Sequence, residues 1–147
     1  MSLFNSKAKK YAKIMAPQWL KIAEDSTNLV NSTVNPSVFF MRYDLLVEMW
    51  QNLSSIEHLI KFNGTRPSIA LRATESAREE QTLLFIDRSY ERMVENAKNL
   101  KTRKGQYNKG MRYFSELEKY QSYFTYRISA KVSDLQNIWE NTFIDQV

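Results

Sequence analysis

Residues 36–62 read PSVFFMRYDLLVEMWQNLSSIEHLIKF, and within them Phe39, Leu46, Leu53 and Ile60 recur at intervals of seven. Tyr43, Met49, Trp50 and Ile56 fill the adjoining stripe. An apolar face this wide, more than about 100° of the helix circumference, needs at least two partner helices to cover it. The start of the segment is as well marked as its face. Asn31, Ser32, Thr33, Val34 and Asn35 form a loop by composition. The Asn35 side chain can accept from the free amides of a first helical turn, and Pro36 has no amide there to satisfy. Asn63-Gly64 supplies the left-handed residue that a helix C-cap needs, so the pattern predicts one helix over 36–62.

On the N-terminal side a helix is predicted over about 5–30. Ala16-Pro17 either kinks it or splits off 1–16 as a short lysine-rich helix, because a proline inside a helix removes a backbone donor. Beyond Pro17 the apolar face reads Trp19/Leu20, Ala23, Thr27 and Val30. On the C-terminal side, Thr65-Arg66-Pro67 opens a third helix that meets no Gly or Pro until about 104. At about 1.5 Å per residue it exceeds ~50 Å. Its second half carries Leu83, Ile86, Tyr90, Met93, Ala97 and Leu100, its first only Ile69, Ala73 and Ala77.

Gly105 and Gly110 then read as flanking a basic turn. Over 106–144, Phe114, Leu117, Phe124, Ile128, Val132, Leu135, Trp139 and Phe143 share one stripe. Residues 122–126 have poor helix propensity, which leaves this segment as one helix or two. Long helices joined by short loops run antiparallel to their neighbours. The expected fold is all-α: a single domain over 1–147, an elongated antiparallel bundle of three to four long helices.

The composition agrees. A chain that is 43% hydrophobic can build a core, and 3 Gly with 3 Pro argue against a many-turned sandwich or barrel. The absence of Cys removes disulfides, thiolate zinc sites and cysteine nucleophiles. The one histidine, His58, has Ser55 three residues before it, whereas a two-metal bundle site needs Glu-x-x-His twice. No Gly-x-Ser-x-Gly and no phosphate-cradling glycine run occurs. Glu75, Glu79 and Glu80, interleaved with Arg72 and Arg78 at helical spacing, read as a solvated ion-paired face rather than an acid–base pair. No catalytic residue, metal ligand or cofactor is expected. No run approaches the ~20 apolar residues of a membrane span, and the N-terminus lacks the pattern of a secretory signal. A cytoplasmic location follows as the default.

The charge is uneven. Residues 1–23 carry Lys7, Lys9, Lys10, Lys13 and Lys21 with no acid, and 98–112 carry Lys98, Lys101, Arg103, Lys104, Lys109 and Arg112 with no acid. The rest of the chain holds ten bases and sixteen acids. In the first segment the lysines oppose Phe4, Ala8, Tyr11 and Met15, a pattern that packs across a bundle end or rests on an anionic membrane. In the second, Tyr107 and Tyr113 alternate with the bases, so that cations can meet phosphates or an acidic protein face while a ring stacks on a base. Lys98, Lys101, Arg103, Lys104, Tyr107, Lys109 and Arg112 are therefore the candidate binding residues.

The strings Asn35-Pro36-Ser37-Val38-Phe39-Phe40-Met41-Arg42-Tyr43 and Phe85-Ile86-Asp87-Arg88, with Leu29-Val30-Asn31 before and Leu100-Lys101-Thr102 after, resemble an uncharacterised helical domain of Gram-positive bacteria and their phages. In that group an N-P-x-x-F-F-x-R segment opens a helix and F-I-D-R lies in the next long one. The resemblance spans roughly 20–115 and carries no activity; it implies a small cytoplasmic accessory protein. Arg42 and Asp87 each lie beside an apolar stripe, so an ion pair between them, or between Arg42 or Arg88 and Glu91, is expected to fix helix register. The functional expectation is a non-enzymatic module acting by protein–protein contact, with an acidic partner or a second copy of the chain. The alternative is a nucleic-acid-binding accessory protein that uses the 98–112 turn.

Overall fold

The structure is a computed structural model that describes the backbone of residues 3–144 and the side chains of 6–144. Every regular element among the described residues is helical: α1 (Leu3–Ser32), α2 (Pro36–Ser55), α3 (Pro67–Ser76), α4 (Arg78–Lys98), α5 (Arg103–Glu118), a single 3-10 turn (Gln121–Tyr123) and α6 (Tyr126–Ile144). The all-α class therefore holds, but three to four long helices become six. The chain forms two compact units. Among the described residues, unit 1 takes in 3–32 and 40–78, and unit 2 takes in 33–39 and 79–144.

In unit 1, α1 passes unbroken through Pro17, so no separate helix ends at residue 16. The inward face of α1 is built from small residues: Ala12 and Ala16 pack with Leu53 and Ile56, and Ala23 packs with Leu46 and Met49. Rising numbers on α1 meet falling numbers on α2, so these two helices run antiparallel. Short side chains let two backbones approach closely, and this contact along both sides of Pro17 holds the helix through the missing hydrogen bond. Tyr11, on the face expected to pack across a bundle end or rest on a membrane, is 55% exposed. Phe4, placed on the same face, lies outside the described side chains.

The start of α2 is as expected: Asn35 Oδ1 accepts from the amides of Ser37 (2.9 Å) and Val38 (3.3 Å). Its end is earlier than 62. From Ile56 onward the amides reach only three residues back, to Leu53 O and Ser54 O, and the Ser55 hydroxyl donates to Asn52 O at 2.6 Å. This tighter winding ends α2 at Ser55. Gly64 (φ 87°) is left-handed but lies in the loop, not at the cap. Glu57, in the turn after α2, opens α3. Its carboxylate accepts the Ser68 amide at 2.8 Å and the Ser68 hydroxyl at 3.1 Å, and it pairs with Arg66 at 3.1 Å. The residue at the N-cap position, Arg66, makes no side-chain cap of its own.

The expected long third helix is interrupted at Ala77 (φ −83°, ψ −7°). The Thr74 carbonyl, which a continuous helix offers to residue 78, accepts the Tyr43 hydroxyl at 2.5 Å. Arg78 pairs with Asp44 at 2.6 Å and lies over the Tyr43 ring.

In unit 2, α4, α5 and α6 form a three-helix bundle. Ser89 and Tyr90 of α4 meet Tyr113 and Phe114 of α5, while Arg103 and Tyr107 of α5 meet Thr142 and Phe143 of α6. Phe85, Ile86, Leu117 and Ile128 are fully buried. Phe39, in the first turn of α2, stacks on Phe85 with centroids 4.4 Å apart. The 106–144 segment is two helices, broken at the 3-10 turn.

The basic turn between Gly105 and Gly110 does not exist; both glycines lie inside α5. Thr102 caps that helix by accepting the Gly105 amide at 2.9 Å. At Gly110 the indole of Trp139 takes the side-chain space. A Cβ there would stand 1.9 Å from Nε1, which donates to the Tyr107 carbonyl at 3.1 Å.

Candidate functional site

The seven candidates of 98–112 do not form one surface. Lys98 ends α4, Lys101 lies in the connecting bend, and Arg103 and Lys104 open α5; all four are exposed. A cation in the last turn of α4 complements that helix's dipole, whereas two in the first turn of α5 oppose it. Arg103 is compensated: its Nη2 donates to the Thr142 carbonyl at 2.9 Å, near the C-terminus of α6, and its guanidinium covers the Phe143 ring at 4.8 Å. Tyr107 packs edge-on against Phe143. Tyr113 is buried, with its hydroxyl 2.6 Å from that of Ser89, and desolvation pushes its ionisation far above the ordinary tyrosine range. The Tyr113 ring is therefore not presented as a stacking platform, whereas Tyr107 is half-buried and lines an open groove with Glu140, Phe143 and Ile144. Lys109 and Arg112 face a separate groove beside α4.

The expected register pairs are replaced. Asp87 pairs with Lys131 of α6 at 2.5 Å. Arg88 Nε donates to the Thr33 carbonyl at 3.0 Å, and burial lowers its pKa. Arg42 and Glu91 form no ion pair among the described residues. The anticipated local face of Glu75, Glu79 and Glu80 also pairs differently. Glu79 accepts from the Thr125 hydroxyl and, at 3.2 Å, from Arg127, which bonds Glu80 at 2.6 Å. These two carboxylates raise the Arg127 pKa, Glu80 contributing most. Such contacts tie α4 to α6, not residues along α4. Glu75 and His58 are solvent-exposed.

The feature that sequence reasoning missed is an open groove in unit 1, of about 1030 Å3. Ala16, Pro17, Leu20 and Thr27 of α1 form one wall, at spacings that share a helix face. Ala70, Ala73 and Thr74 of α3 form the other, with Trp50 of α2 and Leu59, Ile60 and Phe62 of the following turn between them. Lys9, Lys13, Lys61, Asn63 and Thr65 complete the lining, which includes no carboxylate. None of the three lysines forms an ion pair among the described residues. Lys9 and Lys13, four apart, with Ala16 and Leu20 continuing the row, were the available signal. It was obscured because the face was read through Tyr11 and Met15.

The α3 wall is made of short side chains, and the row from Lys9 to Thr27 rises ~27 Å along α1. A rod with an apolar stripe can therefore lie in the groove at close range, its flanking charges within reach of the lysines. No family model, no curated protein and no solved structure matches the chain.

Proposed function

We propose that the chain is a non-enzymatic helical interaction module that seats an amphipathic, acidic helix of a partner protein in the groove of unit 1. The observation that carries this reading is the groove lining: apolar and small side chains with three lysines and no acid. A helix laid in a groove buries its apolar face, and the lysines select carboxylates at its flanks. Unit 1 as a whole supports the same choice, because among the described residues it holds ten bases against six acids, whereas unit 2 holds eleven against nine. The resemblance to the Gram-positive and phage domain is taken as that of a cytoplasmic accessory protein. No helix among the described residues is long and apolar enough to cross a membrane.

The test uses synthetic amphipathic helical peptides that share one leucine face and differ only in flanking Glu or Lys, titrated into the full chain. Tryptophan fluorescence, to which Trp50 in the groove contributes beside Trp19 and Trp139, follows the binding. The Glu-flanked peptide binds, and Lys9→Gln, Lys13→Gln and Lys61→Gln together weaken it about tenfold, since each rim charge is worth up to ~0.5 kcal/mol. Ala73→Glu in the groove wall abolishes binding. Equal affinity for both peptides, or indifference to all four substitutions, overturns the reading.

A further inference from the structure

A second groove, of about 350 Å3, opens in unit 2 between α4, α5 and the residues leading into α2. Lys109 and Arg112 line it from α5, Arg92 and Asn96 from α4, and Pro36 and Met93 add apolar surface. Arg92 and Asn96 are four residues apart, so both point from one helix face. One carboxylate lines the groove, that of Glu116, and it is engaged by Lys119 at 2.7 Å. Arg92 has a loose 4.0 Å contact with Glu95, and Lys109 and Arg112 form no ion pair among the described residues. Three cations thus share a small concavity with a single acid that is already compensated. The first turn of α2 carries no acidic residue. Asn35 takes the Ser37 and Val38 amides, so that helix end contributes its positive field to the rim rather than free donors.

We propose that this groove binds the phosphate group of a small phosphomonoester. The phosphate sits between Arg112, whose fork suits two phosphate oxygens, and Lys109, with Arg92 opposite. The Asn96 amide and the Pro36 and Met93 surfaces meet the organic part. The size favours a small ligand over a polymer, since the volume is at the low end of the ~300–1,000 Å3 usual for ligand sites. Lys101, in the bend, and Lys104, on the exposed surface of α5, do not line the groove and add no continuous track for a nucleic-acid strand.

The experiment titrates the full chain with inorganic phosphate, a nucleoside 5′-monophosphate, the unphosphorylated nucleoside and a short single-stranded oligonucleotide, followed by calorimetry. The monophosphate is expected to bind saturably and more tightly than inorganic phosphate, and the bare nucleoside not at all. Lys109→Gln with Arg112→Gln weakens monophosphate binding at least about tenfold, the loss expected for two charge-assisted contacts. Lys101→Gln with Lys104→Gln leaves it within about twofold, since those charges act only through screened solvent. Circular dichroism checks that each variant is folded, and Arg92→Gln replaces the double variant should that one not fold. No saturable monophosphate binding at millimolar concentration overturns the proposal. So does oligonucleotide binding that depends equally on Lys101 and Lys104, which assigns the charge to a polymer.

Discussion

At Gly110 helix propensity and packing pull in opposite directions. Alanine is the better helix former by about 1 kcal/mol. Yet the added Cβ would overlap the Trp139 indole, which is 6% exposed and anchored to the Tyr107 carbonyl. Overpacking a rigid, buried ring costs about 1–3 kcal/mol and here also strains the indole hydrogen bond, so packing wins. Gly110→Ala is expected to destabilise the protein by about 2 kcal/mol in urea unfolding, and Trp139→Leu in the same chain to recover part of that loss. A second residue-scale effect is titratable. The Ser68 amide, followed by the Ser68 hydroxyl and Arg66, holds the Glu57 carboxyl below its ordinary value of 4.5. A depressed carboxyl stabilises the fold above its unfolded-state pKa, and the contribution fades as pH falls through the folded-state pKa. The urea midpoint of Glu57→Gln should therefore lie below that of the unsubstituted protein at neutral pH. The two should converge as the medium is acidified below about 4.5. Convergence on the alkaline side instead would contradict this assignment.

Elements with a strong stripe or a marked start were legible in the sequence, and their ends were not. The Asn35-Pro36 start of α2 and the Pro67 start of α3 are local signals and lie where they were read. The stops at Ser55 and Ala77 depend on partners remote in sequence, as when Tyr43 takes the Thr74 carbonyl, and no Gly or Pro announces them. Glycine was ambiguous for a physical reason. It serves a turn by its backbone freedom and a helix contact by its missing Cβ, and the sequence around Gly110 does not distinguish the two. Proline misled in the opposite sense, because packing carried α1 through Pro17. That continuity has a measurable cost. Pro17→Ala restores an amide to the middle of a 30-residue helix at an exposed position and is expected to raise stability by about 1–3 kcal/mol. Thermal unfolding followed at the helical band tests it, and an unchanged or lower midpoint would show that the ring is needed where it stands.

For the molecule as a whole, helical periodicity identified the all-α class, and composition supplied the excess of positive charge and the argument against a many-turned β fold. It did not identify the candidate groove, because Lys9, Lys61 and Ala73 come together only through folding. The basic 98–112 run, conspicuous as a string, is spread by α5 onto different faces. The border between the two units falls between Phe39 and Phe40, inside the continuous helix α2, and each unit is assembled from two stretches of chain. No single truncation releases either unit whole. A gene fusion meant to graft the lysine-rimmed groove onto another protein has to carry residues 33–39 along with it, together with the apolar Phe39 ring that they bring. The groove is thus a poor cassette for shuffling, because any continuous stretch that carries it also imports a piece of the other unit.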